Sequence, residues 1–260
     1  VNRNLHIRCR GHGPAVVLIH GWALHGEIFN PLVERLEKRC QVYVVDLPGH
    51  GLSRNTSTAL QLSDLTKTFA ATLPPAVWCG WSLGGLLALH AADALPQVRG
   101  LIMLAATPCF VRHEYWPDAM DPAVFNQFRR GLIGHTSRTL ERFLALNVKG
   151  SHSTHTSLRY LHHVASQYAF PALHHLEQGL DMLQHTDLRA LLPQLNKPTL
   201  WIGGANDHLI PAPALNQAAA FVKHTKTSVH SLAGCSHIPF IDQPDTVARL
   251  ICDFIHASTV

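Results

Sequence analysis

The five residues Gly80-Trp81-Ser82-Leu83-Gly84 constrain this chain more than any others. They follow an apolar run, Ala76 to Cys79, and lead into a helix-like run, Leu86 to Leu95. A serine between a strand and a helix, with a glycine two residues to either side, marks a sharp turn. Such a turn strains the serine and leaves its hydroxyl exposed at the sheet edge. The glycines let neighbouring backbone pass where a Cβ would stand. Alone, the pentapeptide is an ordinary Gly/Ser turn. The strand before it and the helix after it make Ser82 a candidate nucleophile.

Around that turn, short β-rich runs alternate with helix-length segments. The expected strands are Leu5–Arg8, Ala15–Ile19, Gln41–Val45, Ala76–Cys79, Gly100–Ala105, Thr199–Ile202 and Thr227–Leu232. Most are continuous apolar runs, as strands buried on both faces are. Expected helices cover Glu27–Lys38, Leu62–Thr72, Leu83–Ala94, Pro211–Val222 and Pro244–His256. This alternation predicts an α/β fold: a mostly parallel central sheet flanked by helices. It breaks between about Cys109 and Asp187, a stretch with helical patterning and many aromatic residues. We therefore expect a core of residues 1–110 and 188–260, with 111–187 inserted as a helical lid over the carboxyl edge of the sheet, where ligands bind in such folds. A separate helical domain is the competing reading, but the strand pattern resumes at Thr199.

Composition narrows the function classes. With 47% hydrophobic and 15% charged residues the chain is globular, and its formal charge of +4 gives little reason to invoke nucleic acid. No apolar run approaches the roughly 18 residues that span a bilayer. Val1 to Arg10 is polar and basic, without a signal-peptide core. The six cysteines lack C-x-x-C spacing and read as reduced, mostly buried thiols, which favours the cytoplasm. There are 20 histidines but no H-E-x-x-H, so no metal is expected.

A serine hydroxyl needs an adjacent base, and the base needs an orienting partner. His237 follows the strand Thr227–Leu232, and Asp207 follows the strand Thr199–Ile202 and a Gly-rich turn, so both fall on the same edge as Ser82. Asp46 ends a strand in what looks like a structural turn, and Asp242 and Asp245 read as helix-start acids. Asp207 is thus the best placed acid. Acyl transfer also needs donors for the developing oxyanion. The main-chain N–H groups of Leu83 and of Trp22, in the loop His20-Gly21-Trp22, are the candidates. The Trp22 and Trp81 side chains are candidates for the acyl pocket, with a core position for Trp81 an equal alternative.

Together, His20-Gly21-Trp22, Asp46-Leu47-Pro48-Gly49-His50-Gly51-Leu52-Ser53, Gly80-Trp81-Ser82-Leu83-Gly84-Gly85, the Asp207 loop and Ser236-His237-Ile238-Pro239 resemble the α/β-hydrolase superfamily, whose chain order is also Ser…Asp…His. The segments Trp78–Leu86, Ala106–Phe110 and Arg138–Leu146 narrow the likeness to the pimeloyl-[acyl-carrier protein] methyl ester esterases of biotin synthesis. That resemblance implies demethylation of a carrier-bound pimeloyl methyl ester. It implies substrate contacts at Trp22, Ser82, Leu83, Phe143, Leu144, Ala145, Leu146, Asn147 and His237, and no cofactor. The chain departs from the pattern in the histidine-rich stretch Val148 to His155, with His155 where arginine is expected.

The charge pattern points the same way. From Phe125 to His163 there are six Lys/Arg and one acid, Glu141, a local surplus larger than that of the whole chain. Arg138 and Arg142 share a helix face, and His155 and Arg159 repeat their spacing. We read Arg138, Arg142 and Arg159 as a docking surface for an acidic carrier, against the alternative of a solvated basic face. A monomer acting on this partner is the expectation. A general short-chain carboxylesterase or C–C hydrolase on the same residues, and a non-catalytic hydrolase-fold ligand-binding protein, remain open.

Overall fold

A computed structural model describes residues 5–56 and 58–259. Seven strands form one sheet: β1 (Ile7–Arg10), β2 (Ala15–Ile19), β3 (Gln41–Val45), β4 (Ala76–Trp81), β5 (Val98–Leu104), β6 (Thr199–Gly204) and β7 (Thr227–Leu232). Their order is β1-β3-β2-β4-β5-β6-β7, with β1 antiparallel to β3 and every other pair parallel. This is the α/β architecture expected from the alternation. The central strand β4 has all six residues buried. It runs through Gly80 and Trp81, which pair with Met103 and Leu104 and carry the strand up to the serine.

The helices are α1 (Asn30–Leu36), α2 (Leu62–Thr72), α3 (Leu83–Ala94), α4 (Pro122–Val148), α5 (Thr154–Gln167), α6 (Leu173–His185), α7 (Ala212–Ala220), the single turn α8 (Pro239–Asp242) and α9 (Pro244–Thr259). The segment expected as Glu27–Lys38 divides into a 3₁₀ turn, Gly26–Phe29, followed by α1. Pro31 explains the division, because proline is favoured in the first helical turn. The chain leaves the sheet after β5, builds α4, α5 and α6, and returns at β6. Within α4, His135 is non-helical (φ −151°, ψ 64°). The Thr136 and Thr139 hydroxyls bond back to the carbonyls of Leu132 and His135 around this kink.

Topology positions the site. The chain passes from β2 outward to β3, then returns across β2 to β4. The strand order therefore reverses between β2 and β4, and ligands of open α/β sheets bind beyond the carboxyl ends of the strands at such a reversal. Trp22 follows β2 and Ser82 follows β4. One hydrophobic core runs through both faces of the sheet and beneath α4 to α6, and includes Val17, Ile19, Trp78, Leu86, Met103, Leu144 and Leu176.

Candidate active site

Ser82 links β4 to α3 with φ 53° and ψ −119°, a left-handed conformation that a residue with a Cβ rarely adopts. The turn is so tight that a Cβ on Gly80 would stand 2.1 Å from the Gly84 carbonyl oxygen, and one on Gly84 2.2 Å from that of Ile19. Both glycines are therefore required by close backbone approach, as the sequence motif implied.

His237 and Asp207 reach the same place from the far strands. His237 Nδ1 and Asp207 Oδ2 are 2.7 Å apart, and both side chains are essentially sealed from solvent. The other oxygen, Oδ1, accepts the main-chain N–H groups of Leu209 and Ile210 at 2.7 and 3.0 Å. A carboxylate so supplied with donors takes the Nδ1 proton as a hydrogen bond, which leaves Nε2 of the neutral ring as a lone pair. Nε2 is buried and has no hydrogen-bond partner among the described residues. His237 and Ser82 line one narrow cavity, of about 40 Å³.

Trp22, Phe110 and Leu209 wall that cavity from the core, and Met120 from the segment before α4. Phe125, Phe128 and Phe143 from α4 and Leu180 and Leu183 from α6 close it from above. Trp22 meets Phe143 edge-on at 4.8 Å, and its indole nitrogen donates to the Leu176 carbonyl on α6 at 2.8 Å. Ser82 and His237 are the polar side chains of an otherwise apolar wall. An uncharged acyl chain fits such a lining and a free carboxylate does not, because nothing there compensates its desolvation.

The Ser82 N–H is already committed to the Leu104 carbonyl at 3.1 Å. The Leu83 and Trp22 N–H groups have no acceptor among the described residues. Free amides at the start of α3 and after β2 are what an oxyanion needs.

Several residues sit differently from expectation. Of the stretch Phe143 to Asn147, Phe143 alone lines this cavity. Leu144 is buried on another side, Ala145 is exposed, Leu146 is half-buried and Asn147 is buried. Consecutive helical residues point around the axis, so a contiguous run cannot all face one cleft. The Asn147 carbonyl instead accepts the His237 N–H at 3.1 Å. Trp81 is fully buried behind His237 and does not line the cavity, which decides between its two readings. Asp46 accepts the N–H groups of Gly26 and Leu52, as a structural turn residue would. Asp242 is not a helix-start acid as expected: it ends α8 and binds Ser151, Ser157 and Ser236. Leu180 and Leu183 were not anticipated, although the spacing of Leu176, Leu180 and Leu183 marks one helix face. Arg138, Arg142 and Arg159 are all exposed, and none is in an ion pair among the described residues.

Away from the cavity, Cys109, His113 and Asp187 place potential metal-ligand atoms within 4.8 Å of one another. Asp187 is already gripped by Arg189 at 2.6 Å, and the Cys109 thiol donates to the Val111 carbonyl. All six cysteines are free, and no helix among the described residues is long and apolar enough to cross a membrane.

A model of the alpha/beta hydrolase family matches residues 16–250. The chain belongs to this family. A protein from Xanthomonas oryzae named pimeloyl-[acyl-carrier protein] methyl ester esterase is 51% identical over 96% of this chain and 98% of its own length. One of the same name from Xylella fastidiosa is 46% identical over the same shares. The likeness read from the motifs is thus borne out by near-full-length relatives. Among solved structures, an esterase from Exiguobacterium antarcticum superposes with a TM-score of 0.85 at 20% identity, covering 97% of this hydrolase and 95% of that chain. The enol-lactonase of Burkholderia xenovorans gives 0.82 at 19% identity, covering 97% and 96%. At such identities these two structures speak for the fold alone.

Proposed function

We propose that this hydrolase is a serine carboxylesterase that removes the methyl group from the pimeloyl methyl ester carried on acyl carrier protein, releasing methanol in biotin synthesis. The observation that carries the reading is the apolar cavity with Ser82 and His237 at its wall, in a chain about half identical to esterases of that name. No cofactor enters the mechanism. Water and the side chains present supply every proton.

In this mechanism His237 Nε2 takes the proton of Ser82 Oγ as the oxygen attacks the ester carbonyl. The N–H groups of Leu83 and Trp22 hold the oxyanion, a donor of this kind contributing about 3–4 kcal/mol to the transition state. The proton passes to the departing methoxide. Water activated by His237 then frees the carboxylate, and Asp207 keeps the imidazole in the required tautomer. The ionised product is poorly matched to the apolar wall, which favours its release.

Residues 111–187 act as a lid, and Arg138, Arg142 and Arg159 on its outer face would meet the acidic carrier while the acyl chain enters between α4 and α6. The free cysteines fit a cytoplasmic enzyme, and one copy of the chain holds every proposed catalytic residue. The test is genetic. The gene should restore growth without biotin to a bacterium lacking its own esterase, and Ser82→Ala should not. Failure of the wild-type gene, expressed and folded, would refute the reading.

A further inference from the structure

We infer that Asp242 is a positioning residue for His237, acting by tying the His237 loop to the root of the lid. The inference rests on His237 being the base, as proposed above. Asp242 Oδ2 accepts both the main-chain N–H and the hydroxyl of Ser236, each at 2.8 Å, and Ser236 immediately precedes His237. Oδ1 accepts the Ser151 and Ser157 hydroxyls at 2.8 and 2.9 Å. One carboxylate thus receives two donors from the base loop, one from the segment joining α4 to α5 and one from the first turn of α5. All three serines are buried.

The same lid segment is fastened to both loops at three further points. The His237 N–H donates to the Asn147 carbonyl at 3.1 Å, and the His152 N–H donates to the Gly234 carbonyl at 2.9 Å. The Asn206 side chain, adjacent to Asp207, donates to the Gly150 carbonyl at 2.8 Å. Gly150 has φ +92°, and a Cβ there would stand 2.3 Å from the Asn206 carbonyl oxygen. Asn147 to Ser157 is therefore a buttress under the acid and base loops. Asp242, at the end of α8, is the side chain that joins this buttress directly to Ser236, the residue beside the imidazole.

A catalytic group displaced by about 1 Å loses on the order of 100-fold in rate. Removing the carboxylate frees the loop on one side and leaves four buried donors to find other partners. The substitution Asp242→Asn would restore most of the network: the amide oxygen takes the two Ser236 donors, and the amide NH₂ donates to the rotated hydroxyls of Ser151 and Ser157.

The experiment compares Asp242→Ala, Asp242→Asn, the pair Ser151→Ala with Ser157→Ala, and His237→Ala as reference, on a small free ester and on the carrier-bound ester. Active sites are counted by fluorophosphonate titration. We expect Asp242→Ala and the serine pair to lower kcat per titrated site by roughly 10- to 100-fold on both substrates, with KM within about threefold of wild type. Asp242→Asn should recover to within about threefold. Wild-type kcat per site in Asp242→Ala, or a loss explained wholly by fewer folded sites, overturns the inference. If Asp242→Ala does not fold, the serine pair decides by the same criterion. An inactive His237→Ala beside a normal Asp242→Ala would sink this inference alone. An active His237→Ala would sink the base assignment itself.

Discussion

The indole nitrogen of Trp81 donates to the main-chain carbonyl of His237 at 2.8 Å, so the residue before Ser82 braces the proposed base. The two rings lie 5.7 Å apart. Trp81→Phe keeps one aromatic ring but deletes the donor and part of the buried volume, and the unpaired carbonyl alone costs about 1–3 kcal/mol. We expect a lower melting temperature and a fall in kcat of several-fold, with KM little changed. Kinetics and thermal unfolding of the one variant check both.

Much of this was legible in the sequence because it is local. Buried strands are continuous apolar runs, and the Ser82 turn announces itself in five residues. Asp207 and His237 were found because each follows a strand on the same edge. The Asp242 network was not legible. Its partners Ser151 and Ser157 lie 91 and 85 positions away, and such contacts leave no periodicity. The cavity wall was only partly legible, since a helical stretch such as Phe143 to Asn147 shows which residues are apolar but not which of them faces the cleft. The α4 kink at His135 was missed, although Gly134, Thr136 and Ser137 beside it are poor helix formers.

Gly84 in the Ser82 turn differs sharply from Gly134 in α4. Gly84→Ala forces a Cβ to within 2.2 Å of the Ile19 carbonyl, whereas a Cβ on Gly134 meets nothing within 4 Å. Gly84→Ala should cost about 3 kcal/mol and abolish turnover. Gly134→Ala should be neutral or stabilising by up to about 1 kcal/mol. Denaturant unfolding and ester hydrolysis of both variants give the comparison.

Acid should unfold this protein through His20 and His50. Burial pushes each imidazole down to about 3, and their mutual proximity adds to the effect for His50. His20 Nδ1–H donates to the Gly21 carbonyl while Nε2 accepts the Leu47 N–H, so a proton on Nε2 would face another N–H. In the unfolded chain both titrate near 6.5, so below that pH the unfolded state binds more protons and stability falls as pH falls, down to the folded values. The loss from pH 7.5 to 5 is about 2 kcal/mol per histidine. Denaturant unfolding at pH 7.5 and 5 measures it. His20→Gln should roughly halve the difference, and a wild type equally stable at both pH values would refute the assignment.

The exposed arginines make a prediction that separates binding from chemistry. Changing Arg138, Arg142 and Arg159 together to Glu should raise KM for the carrier-bound ester and weaken its dependence on salt. Hydrolysis of a small free ester should be nearly unchanged. Each exposed pair contributes only about 0.2–1 kcal/mol, so single changes should have small effects. Equal loss on both substrates would mean a destabilised lid, and no loss on either a merely solvated face.

The most direct measurement is methanol release from purified pimeloyl methyl ester on its acyl carrier, followed together with the mass of the carrier-bound product. Wild-type protein should release one methanol per carrier and leave the thioester intact. Ser82→Ala should fold and be slower by roughly four decades or more. No methanol from the carrier-bound ester, by protein that hydrolyses small esters normally, would contradict the proposed function.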